Sequence, residues 1–151
     1  MNKQVLMEQI KRHEGEVLEI YEDSLGYLTL GVGHLIKEGD PEHGQPAGTP
    51  VSQEVVDSYY DSDFDKHLDE TLHVCQNHNI EFDSLPEDIQ HVLVNMCFNL
   101  GANRLGKFRN MLGAVASADW KEMAEQMEDS RWFGQVGRRS KELQELVLGC
   151  V

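Results

Sequence analysis

The spacing of apolar residues predicts the first elements of the chain and their order. Residues 3–14 carry apolar side chains at helical spacing and end before Gly15, which suits the left-handed position that closes a helix. Over 17–34 the period shortens towards two, with an interruption at 23–26, which predicts a hairpin or a short three-stranded sheet. Helical spacing returns over about 53–76. That length suits a spine that links two lobes.

The second half of the chain predicts further helices. The most apolar helix is expected to begin at a capping box, Ser84-x-x-Glu87, and to end at Gly101. It should be the buried centre of a C-terminal lobe. Shorter helical patterns follow at 107–116, from Asp119, and at 137–148. The sequence therefore predicts an α+β fold that is mostly α-helical, with a small N-terminal antiparallel sheet.

The length of 151 residues is typical of one domain. We expect a single domain, 1–151, with a lobe at 15–55 that holds the sheet and a helical lobe at 75–151 that includes the N-terminal helix. No apolar run is long enough for a membrane span, and the N-terminus alternates charged with apolar residues. We therefore expect a cytoplasmic product with no signal peptide and no membrane insertion.

The charge of the chain limits its partners. The net charge is -14, which argues against nucleic acid because phosphate binding depends on Lys and Arg. Acidic residues crowd 38–70, and we interpret that run as a solvated helix face. Basic residues gather without acids in 101–112 and 130–141. The C-terminal part could thus meet an anionic polymer locally.

Cysteines and histidines give no convincing metal site. The three cysteines are odd in number and lack a secretory context, so we expect reduced thiols, with Cys97 a small core residue. Two patterns imitate metal sites: a zinc-like group at His67, His73, Cys75 and His78, and an EF-hand-like run at Asp61, Asp63 and Asp65. His73 and Cys75 point away from each other on a helix, and Lys66 stands where an EF-hand loop needs glycine.

Five carboxylates lie within ten residues, and they are Glu14, Glu16, Glu19, Glu22 and Asp23. Glycoside hydrolysis needs two carboxyls of unlike pKa, one protonated and one ionised. Glu14 is the best candidate for the acid because it ends a helix, and Asp23 is the best partner because turn N–H groups can keep it ionised. The other three fit a solvated strand face. From spacing alone, a solvated surface cluster with no chemistry is the more common explanation of such a group of acids.

Two more residues in this stretch have open interpretations. Thr29 offers a hydroxyl six residues beyond Asp23, although a strand threonine is ordinarily a packing residue. His34 is a base, a ligand or a structural histidine.

One longer pattern is more specific. The run E-G-x-x-L-x-x-Y-x-D-x-x-G-x-x-T-x-G-x-G-H, from Glu14 to His34, resembles the phage-type lysozymes of glycoside hydrolase family 24. The resemblance continues in NMCFNLG at 95–101, F-x-N-M-L at 108–112 and SRW at 130–132. It implies a two-lobed fold with a cleft crossed by a long helix. It also implies hydrolysis of the β-1,4 bond between N-acetylmuramic acid and N-acetylglucosamine in peptidoglycan.

The resemblance assigns roles by position. Glu14 would be the general acid, Asp23 the carboxylate that positions the attacking water, and Thr29 its hydroxyl partner. Inversion is implied, for which the two carboxyls stand about 6.5–9.5 Å apart. His34 would support the site, and Arg139 would lie near the acid. The expected saccharide contacts are Leu35, Phe98 and Gln126, with Met111 at a further position where it cannot supply a hydroxyl.

The resemblance also implies a biological setting. We expect a cofactor-free, metal-free monomer that waits in the host cytoplasm and lyses the cell wall after release, an activity that would also be antimicrobial in a defence response. Two rival hypotheses are a catalytically silent wall-binding or virion protein and a small acidic interaction module.

Overall fold

Eight helices and one three-stranded sheet make up the chain, as a computed structural model of residues 1–151 describes it. The elements are α1 (Lys3–Glu14), β1 (Val17–Glu22), β2 (Leu28–Gly31), β3 (His34–Leu35), α2 (Gln53–Asn77), α3 (Glu87–Leu100), α4 (Ala102–Leu105), α5 (Arg109–Ala116), α6 (Trp120–Glu128), α7 (Arg131–Val136) and α8 (Arg138–Leu148). The predicted α+β class, mostly helical with a small antiparallel sheet, is confirmed. No helix combines the length and the apolar character that a membrane span requires.

The chain divides into two compact units. One is Met7–Lys66, called here the sheet unit, and the other joins Met1–Leu6 to His67–Val151, called here the helical unit. The predicted lobes at 15–55 and 75–151 within one domain stay a prediction.

Helix α1 has the predicted ends. The side-chain Oδ1 of Asn2 accepts a hydrogen bond from the Val5 N–H at 3.2 Å, which satisfies one of the unpaired donors of the first turn. Gly15 closes the helix with a φ of +78° and donates its N–H to the Lys11 carbonyl at 2.8 Å. Glu14 is therefore fixed as the last helical residue, immediately before the chain turns into the sheet.

The sheet has the strand order β1-β2-β3, with antiparallel pairing throughout. Tyr21 pairs with Thr29 across β1 and β2, and Thr29 pairs with Leu35 across β2 and β3. A Cβ built on Gly31 would lie 2.9 Å from Cγ1 of Val56, so the backbone at this glycine approaches that side chain closely. The three carboxylates assigned to a solvated strand face are exposed: Glu16, Glu19 and Glu22.

Helix α2 runs for 25 residues and begins as predicted. Ser52 caps it, since its Oγ accepts from the Val55 N–H at 3.2 Å. Val56 and Phe64 are buried, whereas Leu72 on the same helix is 40% exposed. The aspartates of the EF-hand-like run lie inside this helix and not in a loop.

Helix α3 is buried along almost its whole length, but the predicted capping box is wrong. The helix begins at Glu87 after an N-cap at Pro86, which has no side chain able to accept a hydrogen bond. Ser84 instead ends a 3-10 helix, Phe82–Ser84, and its Oγ donates to the Glu81 carbonyl at 2.8 Å. The proline moves the helix start two residues beyond the position that a capping box requires.

The remaining helices match the pattern in part. Helix α6 begins at the predicted cap, where Asp119 accepts from the Glu122 N–H at 3.1 Å. Helix α7 was not predicted. It is six residues long, and Ser130 caps it by accepting from the Phe133 N–H at 3.2 Å.

Candidate functional site

The carboxylate of Glu14 lies against the backbone of Gly33. Gly33 follows β2 with a φ of +64°, and a Cβ built on it would stand 2.6 Å from Oε1 of Glu14. That separation is far inside van der Waals contact. Glycine at position 33 is therefore the condition for the observed carboxylate position.

Asp23 is held by the turn that joins β1 to β2. Its Oδ1 accepts two backbone hydrogen bonds, from the N–H groups of Leu25 and Tyr27, each at 2.9 Å. The Asp23 N–H donates in turn to the Tyr27 carbonyl at 2.9 Å. The turn fixes the direction of the carboxylate and uses one of its oxygens, so Oδ2 is the oxygen that can accept from a ligand or water.

Thr29 is a buried strand residue with a defined hydroxyl direction. Its side chain is 4% exposed, and Oγ1 donates to the Tyr27 carbonyl at 3.0 Å. Because the hydroxyl hydrogen is used in this bond, the lone pairs of Oγ1 are left to accept. Thr29 and Asp23 are thus both positioned by the backbone of Tyr27.

Tyr21 joins these residues, and the sequence analysis missed it. Burial raises the pKa of the Tyr21 phenol, and the negative charges of Glu14 and Asp23 raise it further. Both carboxylates therefore lie within electrostatic reach of one hydroxyl group, whose residue is the strand partner of Thr29. Tyr21 is one of the residues in the Glu14–His34 pattern shared with the family, which could have pointed to it. Its pairing with Thr29, however, depends on the register of the strands.

His34 binds two carboxylates and has no ring nitrogen left for a metal or a substrate. Its Nδ1 lies 2.8 Å from Asp63, its Nε2 lies 2.9 Å from Asp40, and its ring stacks on Tyr59 with centroids 3.9 Å apart. Burial alone would lower the pKa of His34, but the two carboxylates outweigh it and the pKa is raised. Among the three interpretations of His34, this geometry favours the structural one.

The acidic run is only partly a solvated face. Most of its carboxylates are exposed, but Asp40 and Asp63 hold His34, and Glu42 accepts a hydrogen bond from the Tyr59 hydroxyl. Burial works to raise the pKa of Asp40, yet the Lys37 N–H and His34 outweigh burial and lower it. Part of the negative charge therefore has a structural use.

The expected saccharide contacts differ in exposure. Leu35 in the sheet unit is 46% exposed and offers an apolar side chain to solvent. Phe98 in the helical unit is 9% exposed, and its ring meets the edge of His67 at 4.8 Å. Arg139 is 8% exposed, and its Nε donates to Oδ1 of Asn95 at 2.9 Å. The roles of these residues towards substrate and acid stay predictions.

Gln126 lines a cavity of about 460 Å³ within the helical unit. Its Nε2 donates to Glu122 at 2.8 Å, while Met111 is 1% exposed and contributes little surface. The cavity collects cations from both basic stretches: Arg104, Lys107, Arg109 and Arg131. Asp129 is the acid among its lining residues. The two basic stretches therefore meet at one place, as an anionic ligand would require.

Comparison with known proteins places the chain. The family described as phage lysozyme matches residues 11–147. The chain belongs to the phage lysozyme family. It is 29% identical over 150 residues to Probable T4-type lysozyme 2 of Dictyostelium discoideum, covering 89% of this chain and 88% of that protein. Probable T4-type lysozyme 1 of the same organism is 26% identical over 151 residues, with the same coverage of 89% and 88%.

A third similar protein has a different context. The Pre-baseplate central spike protein Gp5 of Enterobacteria phage T4 is 25% identical over 157 residues, which cover 95% of this chain and 27% of that protein. The expected family is thus confirmed, and this phage lysozyme is a glycoside hydrolase with peptidoglycan-hydrolysing activity.

No thiol of this lysozyme is suited to nucleophilic chemistry. Cys75 and Cys97 are buried, and burial raises the pKa of each thiol to about 11. Burial also raises the pKa of Cys150. Catalytic cysteines have the opposite shift, because a thiolate is the reactive form. The carboxylates of the sheet unit therefore remain the candidate chemistry.

Proposed function

We propose that this lysozyme hydrolyses the β-1,4 bond between N-acetylmuramic acid and N-acetylglucosamine with inversion at the anomeric carbon. One observation carries the proposal. The backbone of Tyr27 positions both the Asp23 carboxylate and the Thr29 hydroxyl, and the Glu14 carboxylate lies against Gly33 in the same unit. The sheet unit thus gathers two carboxyls and a hydroxyl, which are the groups that glycoside hydrolysis with an activated water needs.

Glu14 is the proposed general acid. In its protonated form it would donate to the glycosidic oxygen as the bond to the anomeric carbon breaks, a step that needs an acid fixed within hydrogen-bond reach. Two features fix it: the end of α1 at Gly15, and the backbone of Gly33 against which its Oε1 rests.

Asp23 and Thr29 are the proposed water-positioning pair. The ionised Asp23 would accept a hydrogen bond from the water on Oδ2, because Oδ1 already accepts hydrogen bonds from two N–H groups. Thr29 would accept a hydrogen bond from the other water O–H on Oγ1, because its own hydrogen is donated to the Tyr27 carbonyl. The water oxygen then has a lone pair free to attack the anomeric carbon. As the new bond forms, the water proton directed at Asp23 passes to its carboxylate, while the proton of Glu14 passes to the leaving oxygen.

The remaining predicted residues would serve substrate binding and support. Leu35, Phe98 and Gln126 are proposed to contact saccharide, His34 to brace β3, and Arg139 to lie near the acid. The cation-lined cavity at Gln126 supports the role of Gln126, since cationic side chains suit the carboxylates of an anionic wall polymer.

We further propose the use of this activity. A free, monomeric endolysin would accumulate in the host cytoplasm and release phage by cell lysis, with no nucleic acid partner and no membrane insertion. The same hydrolysis would be antimicrobial and would serve defence in an organism that meets bacteria. The similarity to the T4 spike protein favours a second setting, in which the domain acts as part of a virion.

Loss of the acid tests the proposal. Glu14→Gln keeps the shape of the side chain but cannot donate a proton as an acid does, so clearing of a peptidoglycan suspension should fall by roughly 10²–10⁴-fold or more. Glu19→Gln is the matched control, because Glu19 is exposed in β1 and should keep the wild-type rate. Wild-type clearing by folded Glu14→Gln would refute the assignment.

The charge of the chain and the stereochemistry give two independent readouts. NMR of a fresh digest should show the α-anomer first, as inversion of a β-linkage requires. Because the net charge is -14, moderate salt should screen repulsion from the wall and raise the rate. A first-formed β-anomer would exclude inversion, and a rate that only falls from low salt upwards would exclude repulsion as the limit.

A further inference from the structure

Three potential metal ligands meet inside the helical unit, and none of them is among the residues proposed for hydrolysis. His67 and Glu70 lie three residues apart on α2 and share a face, and Cys97 comes from α3. The ligand atoms of the three side chains all lie within 4.8 Å of one another. The tightest pair is Nδ1 of His67 and Oε1 of Glu70, at 2.8 Å.

The chemistry of the three donors selects the metal. Calcium and magnesium prefer all-oxygen sites, whereas an imidazole nitrogen, a carboxylate oxygen and a thiolate sulfur together are ligands of zinc. Zinc bonds of about 2.0–2.3 Å in a tetrahedron set neighbouring ligands roughly 3.3–3.8 Å apart. The widest separation in the group must therefore close by about 1 Å, which is within the range of side-chain rotation.

Access and support for an ion are both present. The side chains of Glu70 and His67 are 30% and 19% exposed, and Glu70 also lines a surface cavity of about 480 Å³. The carbonyl of His67 accepts from Oγ1 of Thr71 at 2.7 Å, and the imidazole ring meets the ring of Phe98. An ion would enter from the solvent side through Glu70 and reach the buried sulfur last.

We propose that His67, Glu70 and Cys97 bind one Zn²⁺ ion, with water as the fourth ligand, and that this ion ties α2 to α3 within the helical unit. On binding, the thiol of Cys97 gives its proton to solvent, and the neutral imidazole keeps its proton on the ring nitrogen that does not face the metal. The site goes beyond the glycosidase activity and departs from the expectation of a metal-free chain. It uses none of the proposed hydrolytic residues.

Cobalt titration of the chelator-treated full chain tests the proposal. Co²⁺ should bind with one equivalent, give a near-ultraviolet thiolate charge-transfer band and visible bands of tetrahedral strength, and be displaced by Zn²⁺. The charge-transfer band should disappear in Cys97→Ala and remain in the control Cys150→Ser. Zinc affinity, measured by calorimetry, should fall at least tenfold in Glu70→Gln and stay unchanged in Asp69→Asn, whose side chain is 72% exposed on the same helix.

Thermal unfolding gives a second readout. Zinc at 100 times its Kd should raise the Tm of the wild type by roughly 5–10 °C and leave Glu70→Gln nearly unmoved at that concentration. Glu70 is part-exposed, so this variant should fold even if Cys97→Ala does not. Binding without the thiolate band, or binding lost in His73→Gln but kept in Glu70→Gln, would place the ion on surface histidines and overturn the proposal. Peptidoglycan clearing by the metal-free protein tests the hydrolytic assignment by itself. Failure of the zinc proposal can therefore be distinguished from failure of that assignment.

Discussion

Replacing Gly33 by alanine would test whether the position of the Glu14 carboxylate sets the rate of hydrolysis. The new Cβ would lie 2.6 Å from Oε1, and ordinary van der Waals contact begins at 3.4 Å, so the carboxylate must retreat by about 0.8 Å. A misplacement of about 1 Å can cost roughly 10²-fold in rate. We therefore expect kcat/KM to fall by roughly 10–100-fold.

The same substitution also has a stability cost that must be separated from the effect on the rate. The φ of +64° at Gly33 is unfavourable for alanine by about 1–2 kcal/mol, which corresponds to roughly 2–8 °C in Tm. Gly44→Ala is the matched control, because Gly44 has a φ of +88° and a Cβ there would meet no atom within 4 Å. It should lose similar stability and keep its activity.

The assay is the initial rate of peptidoglycan clearing at a temperature well below the Tm of every variant, with circular dichroism to confirm folding. Full activity in folded Gly33→Ala would show that the carboxylate tolerates displacement. An equal loss of activity in Gly44→Ala would show that backbone strain alone lowers the rate. Either result would refute the reasoning.

Two further predictions concern stability. The raised pKa of His34 adds stability below pH 6.5, its ordinary pKa, and this stability is lost as the pH rises. The lowered pKa of Asp40 adds stability above pH 3.8, its ordinary pKa, and this stability is lost as the pH falls. The ion pair of the two residues should therefore stabilise the fold most between about pH 3.8 and 6.5. Asp63→Asn should cost about 2–3 kcal/mol in urea unfolding at pH 5.5 and less at pH 9; an equal cost at both pH values would contradict it. Asp119→Ala should lower the free energy of unfolding by about 1 kcal/mol, because α6 loses its N-cap. Ser84→Ala should lower it by less than about 0.5 kcal/mol, and a larger loss would show that Ser84 does cap α3.

Elements with a long apolar period could be predicted from the sequence. Helices α1, α2 and α3 and the β1–β2 hairpin lie where the period and the turn residues placed them. Local chemistry without such a period was less informative. Ser84 has the spacing of an N-cap, but α3 begins directly after Pro86. Helix α7 has six residues, which are too few to show a helical period in the sequence.

The candidate site shows the same division. Glu14 and Asp23 could be singled out because a helix end and a turn are local features. Tyr21 could not, because its relation to Thr29 depends on strand register. The group of His67, Glu70 and Cys97 depends on how α2 packs on α3, whereas the sequence pattern had grouped His67 with residues near it in the sequence.

The short strand β3 has a consequence for local opening of the sheet unit. β3 has two residues, and its backbone adds little beyond the pairing with β2 and the bond from the Ile36 N–H to the Leu28 carbonyl at 3.0 Å. Its resistance to fraying must come mainly from the His34 side chain. Amide exchange at Ile36 and Leu30 should therefore report how firmly that imidazole is held. The order of β3, whose Leu35 pairs with Thr29, thus depends on a residue with no part in the proposed chemistry.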